Sequence, residues 1–306
     1  MTTDTAEPAV PEQAVAAGRL ARGLEPLHAQ IYFAPEGDPR YTAAGLDEGR
    51  MTYVAPRAAP MGAVGPSVVT AAFYNFAPSL VARSLPRAWT LASPADLVAA
   101  RFEVADASLR RLLGDAVDSP EMAEAATLAR TAAAAVSPDG RPLAAGHLDV
   151  EWPTAPHVVF WHALSILREH RGDGHIALLV AAGLSGLEAL LTATATGTGF
   201  TPEFARASRG WTVQEWNDGV ARLGERGLLE HAAPSDETVV PVLTEAGAAL
   251  RKRIEDHTHR LGAAPWGALG ADGATRLGEI GGAFARTALA NGAFPSDGVF
   301  AARPAR

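Results

Sequence analysis

The segment Arg168–His175 concentrates more reactive side chains than any other stretch of the 306-residue chain. It holds two histidines, two arginines, a glutamate and an aspartate around two glycines, and it interrupts an apolar stretch. Because an imidazole titrates near neutral pH, His170 or His175 could move a proton, with Asp173 orienting the ring. Arg171 offers a planar fork to a carboxylate or phosphate. The alternative, in which these side chains only cap two helices around a turn, stays open.

A second set of polar side chains lies in the N-terminal half. Tyr53, Arg57, Tyr74 and Asn75 stand in apolar sequence rich in proline and alanine. Pockets for small molecules are mostly apolar with a few converging polar groups, so we expect these four residues to bind a ligand. A role in the core, with Tyr74 packed and Asn75 buried and hydrogen-bonded, stays open. We expect the two sets to meet where the halves of the chain make contact.

Metal and cofactor sites have weaker support. The side chains that could bind a metal are His162, Glu169, His170, Asp173 and His175. His162 and Glu169 are seven residues apart and could share a helix face, but His170 would not lie on it. Because no H-x-x-x-H or H-E-x-x-H spacing occurs, we predict no metal. The P-loop, dinucleotide-binding and nucleophile-elbow motifs are absent, and we predict no cofactor. The chain has no cysteine, which excludes disulfides, thiolate metal sites and cysteine nucleophiles.

The N-terminal half is predicted to be helical. Apolar spacing indicates a helix from near Gly18, a helix that includes Phe73–Phe76, and alanine-rich helices at 95–114 and 119–135. The composition of Ser137–Gly140 is typical of a turn. We place a domain boundary after this turn, with these divisions: a disordered tail at 1–17, a helical domain at 18–150, a second domain at 151–295 and a tail at 296–306.

Helix boundaries are clearer in the C-terminal half. Ser185 with Glu188, and Thr212 with Glu215, match the capping box, in which each side chain satisfies a free amide at the helix start. Gly227 is typical of the residue after a helix end. The predicted elements are helices at 155–171, 175–182, 185–194 and 212–226, strands at 228–231 and 238–243, and helices from 244 and from 271.

The order of these elements resembles the winged helix of the MarR regulators across residues 183–262. The resemblance rests on Gly183–Ser185 before the first helix, Glu225–Leu229 entering the first wing strand, and Leu243–Gly247 leaving the second. It implies a mainly α fold whose C-terminal half is a winged helix-turn-helix with a small β-hairpin wing. A short similarity between Arg83–Thr90 and Arg206–Thr212 suggests that the N-terminal half is a diverged copy of it.

The whole chain resembles an actinobacterial helix-turn-helix family described as SalK-like. The matching segments are Arg57–Gly62, Phe73–Phe76 and His170–His175. This resemblance implies a fold and no particular activity.

DNA binding is disfavoured by charge. The chain has a net charge of −8, and residues 201–260 carry eight basic and ten acidic side chains. Affinity for duplex DNA depends on cations that neutralise phosphates, and the predicted wing tip at 232–237 has none. Gln214, Asn217 and Arg222 are the residues of the predicted reader helix that could contact bases.

We therefore predict a cytoplasmic, mainly helical protein with no signal peptide and no membrane span. It would bind a small polar or anionic metabolite between its two halves, as in specialised metabolism, and whether it also transforms that ligand stays open. The alternative function is a ligand-responsive MarR-like regulator that binds DNA. The expected partners are the small molecule and either a second copy or the pseudo-dimer of the two halves.

Overall fold

The computed structural model describes residues 11–301, and the N-terminal tail and last residues predicted above lie partly outside this range. The helices in chain order are α1 Glu12–Ala29, α2 Gly37–Ala43, α3 Met51–Ala58, α4 Pro66–Phe73, α5 Pro78–Ser84, α6 Ala88–Leu91, α7 Pro94–Leu113, α8 Pro120–Ala134, α9 Pro142–Leu148, α10 Pro156–Ala181, α11 Gly186–Thr194, α12 Pro202–Ser208, α13 Val213–Glu225, α14 Glu245–Gly262, α15 Ala264–Gly267 and α16 Gly270–Ala290. Short 3-10 helices cover Gln30–Phe33, Ala59–Met61 and Gly114–Asp118.

Local capping chemistry sets several of these boundaries. The capping boxes predicted at Ser185 and Thr212 are both formed, and each hydroxyl accepts the backbone N–H of the glutamate three residues later. Thr244 caps α14 in the same way through the N–H of Gly247. Gly227 follows α13 with a φ of +68°, a conformation that glycine adopts without steric penalty.

The break predicted inside the segment Arg168–His175 is wrong. The helices expected at 155–171 and 175–182 are one helix, the 26-residue α10. Two glycines weaken a helix by about 1 kcal/mol each in isolation, but α10 packs against α8, α9 and α14 along its length. At Gly174 a Cβ atom would overlap the guanidinium of Arg141, so this glycine admits a side chain that crosses the helix.

The predicted β-hairpin wing is also wrong, because residues 11–301 contain no β-strand and show only isolated bridges at Phe200–Phe300 and Leu229–Leu243. Side chains of α13 form hydrogen bonds with backbone groups that a second wing strand would need for its own pairing. Asn217 accepts the N–H of Val239 at 3.1 Å, and Trp216 donates its indole N–H to the Val239 carbonyl at 2.9 Å. Pro241 has no N–H to donate to a ladder.

The two halves differ in the segments that follow α7 and α13. After α7 the chain continues directly into a 3-10 helix and α8, where the C-terminal half has an extended segment between α13 and α14. The helix predicted through Phe73–Phe76 ends at Phe73, because Tyr74 adopts a φ of +55° and ψ of −60°.

Buried apolar side chains form two clusters. The larger one joins the N-terminal helices to the first half of α10 and to α16, and it includes Val54, Leu97 and Trp161. The smaller one is built by α11, α13 and α14 around Trp216 and Leu191. Since α10 contributes to both clusters, it is the element that fixes one against the other.

No single helix of the described chain is both long and apolar enough to cross a membrane. Only α10 and α11 taken together pass that test, and they are bent by 104° relative to each other.

Candidate functional site

A cavity of about 420 Å³ lies between α1, α3 and the end of α4 on one side and the middle of α10 on the other. Leu164, Arg168, Gly172, Ile176 and Leu179 lie along its wall, spaced three or four residues apart on one face of α10. Residues of α11, α14 and α15 and Arg209 complete the lining. Its volume is in the range of small-molecule sites.

Both predicted sets of polar residues meet at this cavity. The lining includes seven of the eight residues singled out in the sequence: Tyr53, Arg57, Tyr74, Asn75, Arg171, Asp173 and His175. The two sets are about one hundred residues apart in sequence, and the continuous helix α10 carries the second of them.

His170 is the residue that the structure places elsewhere. It is buried on another face of α10, its backbone carbonyl accepts a hydrogen bond from Arg141, and its Nδ1 has no hydrogen-bond partner within residues 11–301. Burial, with a smaller contribution from Arg141, lowers the pKa of His170 to about 4. The ring is therefore neutral at pH 7.

His175 and Asp173 line the cavity but make separate contacts. The Nδ1 of His175 lies 2.8 Å from the hydroxyl of Thr258, and burial with two nearby arginines lowers the pKa of His175 to about 4. Asp173 accepts the backbone N–H groups of Leu143 and Ala144 at 3.1 and 2.9 Å, so it caps the start of α9. Burial raises the pKa of Asp173 to about 6. The carboxylate thus holds the start of α9, and not the start of a helix after a turn within Arg168–His175 as the capping alternative had it.

Tyr74 and Asn75 form a strained turn at the edge of the cavity. The N–H of Asn75 donates to the carbonyl of Phe73 at 2.7 Å, which with the positive φ of Tyr74 makes a γ-turn. Gly186 permits this turn, because a Cβ atom there would overlap the Tyr74 carbonyl. The Tyr74 hydroxyl donates to the carbonyl of Leu184, so the turn is tied to the start of α11.

A buried charge network lies on the cavity wall. Glu169 accepts from Arg168 at 2.8 Å and lies 3.5 Å from Arg57, and Arg168 also donates to Glu25 at 2.9 Å. Burial alone would raise the pKa of Glu169, but Arg168 and Arg57 outweigh it and lower the pKa to about 2. Burial would likewise raise the pKa of the Tyr53 hydroxyl, yet nearby guanidiniums, with Arg57 first, lower it. The potential at this wall is therefore positive.

Arg209, which the sequence reasoning missed, is the remaining guanidinium of this wall. It lies over the rings of Phe76 and Phe200, with its central carbon 5.0 and 4.9 Å from their centroids. Its backbone belongs to the short connection between α12 and α13. The signal that could have indicated its role is Gly210, whose φ of +80° and tight contact with Leu80 bring this connection against the N-terminal half.

A second ion-pair group lies at the other end of the cavity. Glu255 of α14 lies 2.5 Å from Arg171, 3.4 Å from Arg22 and 3.3 Å from His259. Arg171, predicted as an anion ligand, is thus already paired with a carboxylate.

His162, considered above as a metal ligand, lies outside this cavity. Its ring packs edge-on against Trp152 and Phe102, at centroid distances of 4.8 and 5.3 Å. Among residues 11–301 no three histidine, aspartate or glutamate side chains are grouped to hold a metal ion.

The outer face of α13 has few free groups for DNA. Asn217 donates to the carbonyls of Ser235 and Glu237 at 2.8 and 2.9 Å and so holds the loop that follows α13. Gln214 donates to Asp218 at 2.7 Å. Three residues were predicted to contact bases. Within the described residues, only Arg222 among them is exposed and makes no side-chain hydrogen bond of this kind.

A protein-family model described as a helix-turn-helix family matches residues 17–295, about nine-tenths of the chain. Comparison with curated proteins and with solved structures gave no match. The match covers the N-terminal helices and the cavity as well as α12 and α13, so it extends well beyond the helix-turn-helix itself.

Proposed function

We propose that this chain, which belongs to a helix-turn-helix family, binds a small organic anion in the cavity between its N-terminal helices and α10. The observation that carries the proposal is the convergence on one cavity of polar side chains from two distant segments, in a positive environment. From the segments Arg57–Gly62, Phe73–Phe76 and His170–His175 we further infer that the chain belongs with the SalK-like actinobacterial members of the family.

Several polar groups at the cavity support binding. The Nε atoms of Arg57 and Arg209 are buried and have no hydrogen-bond partner in the part of the chain described. Buried donors without a partner destabilise a protein by about 1–3 kcal/mol each, and a ligand that accepts hydrogen bonds would remove that penalty. We propose binding and not acid–base catalysis, because burial leaves His170 and His175 weakly basic and Asp173 holds α9.

Native mass spectrometry of the purified protein tests this function. We expect a bound organic acid that dissociates on denaturation, and a reduced bound fraction in Arg57→Gln. The control is Arg222→Gln, which removes the same charge from the exposed face of α13. At one hundred times Kd such a ligand adds about 2.7 kcal/mol of stability, so thermal unfolding with a panel of organic acids is an independent measurement. The absence of both a bound acid and any thermal shift would overturn the proposal.

The family match favours a second function, a ligand-responsive regulator that binds DNA through α13. Arg222 is the side chain best placed to contribute. We expect fluorescence anisotropy with a random duplex at low salt to show no binding. Binding that Arg222→Glu abolishes would establish the regulator, and no binding at any salt concentration would remove it.

A further inference from the structure

Ion pairing within the cavity leaves one guanidinium without a carboxylate. The carboxylate of Glu169 is shared between the guanidiniums of Arg57 and Arg168, and the carboxylate of Glu25 also pairs with Arg168. Within residues 11–301 no carboxylate lies within 4.0 Å of Arg209. Three guanidiniums therefore face two carboxylates at this wall.

The lining of the whole cavity likewise has one more guanidinium than carboxylates. Its lining has five arginines and four carboxylates: Arg22, Arg57, Arg168, Arg171 and Arg209, with Glu25, Glu169, Asp173 and Glu255. The two lining histidines, His28 and His175, add no charge at pH 7.5, because burial lowers the pKa of both. The cavity thus carries one uncompensated positive charge.

The surroundings of Arg209 determine where an anion can reach it. Its central carbon lies over the rings of Phe76 and Phe200, 5.0 and 4.9 Å from their centroids. One Nη donates to Ser208 at 2.7 Å, while Nε has no partner within the described range. Because the N–H groups of a guanidinium lie along the edge of its fork and Nε is still free to donate, we expect an acceptor to approach at this edge. Tyr53 stacks on Phe76, the ring over which Arg209 lies, with 5.7 Å between the two ring centroids, and Asn75 lines the same cavity.

We propose that the occupant of the cavity is a singly charged acid whose anionic group is bound at the edge of Arg209, beside Tyr53 and Asn75. This inference rests on the proposed function and restricts the ligand to acids that carry one negative charge. One negative charge neutralises the cavity, whereas a phosphate monoester, with close to two charges above its second pKa of about 6, leaves a buried negative charge.

Four probes with one apolar body test the charge rule: cyclohexanecarboxylate, cyclohexanesulfonate, cyclohexyl phosphate and cyclohexanecarboxamide. Affinities are measured by titration calorimetry and ligand-observed NMR at pH 7.5. The full chain should bind the carboxylate and the sulfonate at least tenfold more tightly than the phosphate or the amide. Arg209→Gln should remove this preference. Arg222→Gln is the control, because it removes the same charge from the exposed face of α13, outside the cavity lining.

A second variant reverses the preference. Glu25→Gln raises the excess charge at the wall from one to two, and its side chain is 42% exposed, so the fold should persist. We expect this variant to bind cyclohexyl phosphate more tightly than cyclohexanecarboxylate.

Different results would overturn the anion-binding function and the single-charge inference. Tighter binding of the phosphate to the unaltered chain, or an unchanged order of affinities in Glu25→Gln, overturns the single-charge inference and leaves an anion-binding cavity. Binding of the amide as tight as that of the carboxylate, or binding of none of the four probes, overturns both.

Discussion

Replacement of Glu169 by glutamine tests whether the cavity wall is held by a buried ion-pair network. Glu169 is 3% exposed and lies between Arg168 and Arg57, at 2.8 and 3.5 Å. Glu169→Gln keeps the size of the side chain and removes its charge, so two guanidiniums lose their shared counter-ion. Breaking a buried ion pair from one side destabilises a protein by about 3–5 kcal/mol.

The pKa of Glu169 gives a second estimate of the same effect. Its fall from 4.5 to about 2 corresponds to about 3 kcal/mol of stability at neutral pH. Because the folded-state pKa is depressed, this contribution is present above pH 4.5 and is lost as the pH falls through about 2. The two estimates agree in size, so we expect Glu169→Gln to reduce the free energy of unfolding by about 3 kcal/mol at pH 7.

Urea unfolding followed by circular dichroism at several pH values between 7 and 3 measures this loss. The matched control is Glu103→Gln, since Glu103 and Arg40 form a pair whose side chains are 58% and 49% exposed, and such pairs contribute about 1 kcal/mol or less. The difference between wild type and Glu169→Gln should narrow below pH 4.5. A loss of stability no larger than that of Glu103→Gln, or one independent of pH, would refute the idea that a buried ion-pair network holds the cavity wall.

The remaining predictions concern the glycines of α10 and the connection between α12 and α13. Gly172→Ala should stabilise the protein by up to about 1 kcal/mol, because its Cβ would meet its nearest neighbour at an ordinary 3.6 Å, whereas Gly174→Ala should destabilise it by displacing Arg141. Urea unfolding compares this pair, and equal effects would contradict the role given to Arg141. Trp211→Phe removes an N–H donated to the Asn75 carbonyl at 2.9 Å, so amide hydrogen exchange at the start of α13 should become faster and cyclohexanecarboxylate should bind several-fold more weakly. Unchanged exchange would show that this hydrogen bond does not hold α13 against the cavity.

The sequence predicts the helices whose ends are set by neighbouring residues. Ser185 and Thr212 are recognisable because each hydroxyl reaches an N–H only three residues away, and Gly227 because a positive φ follows a helix end. The boundaries at 119–135 and 271–290 are likewise close to those of α8 and α16. Such features need no knowledge of the rest of the chain.

The errors arise where tertiary contacts override a local preference. The glycines in Arg168–His175 favour a turn, but packing on both sides of α10 keeps the helix continuous, and Arg141 occupies the space at Gly174. The valines at 239, 240 and 242 favour a strand, yet Asn217 forms hydrogen bonds with backbone groups on which the strand would depend. In each case the deciding partner lies about 20 residues or more away in sequence, and no pattern within the segment records it.

The candidate site shows the same contrast between what local sequence predicts and what tertiary contacts determine. Tyr53, Arg57, Tyr74 and Asn75 could be proposed because polar groups in an apolar context are unusual wherever they end up in the fold. The charge that these groups present to a ligand depends on which guanidiniums are paired with carboxylates. That pairing follows only from how α1, α3, α10 and the connection between α12 and α13 meet at the cavity. The 26 cationic and 34 acidic side chains of the chain give a net charge of −8, while the cavity has an excess of one positive charge. Because the Debye length is about 10 Å at 0.1 M salt, we expect the ion pairing inside the cavity, and not the net charge of the whole protein, to determine which anion binds.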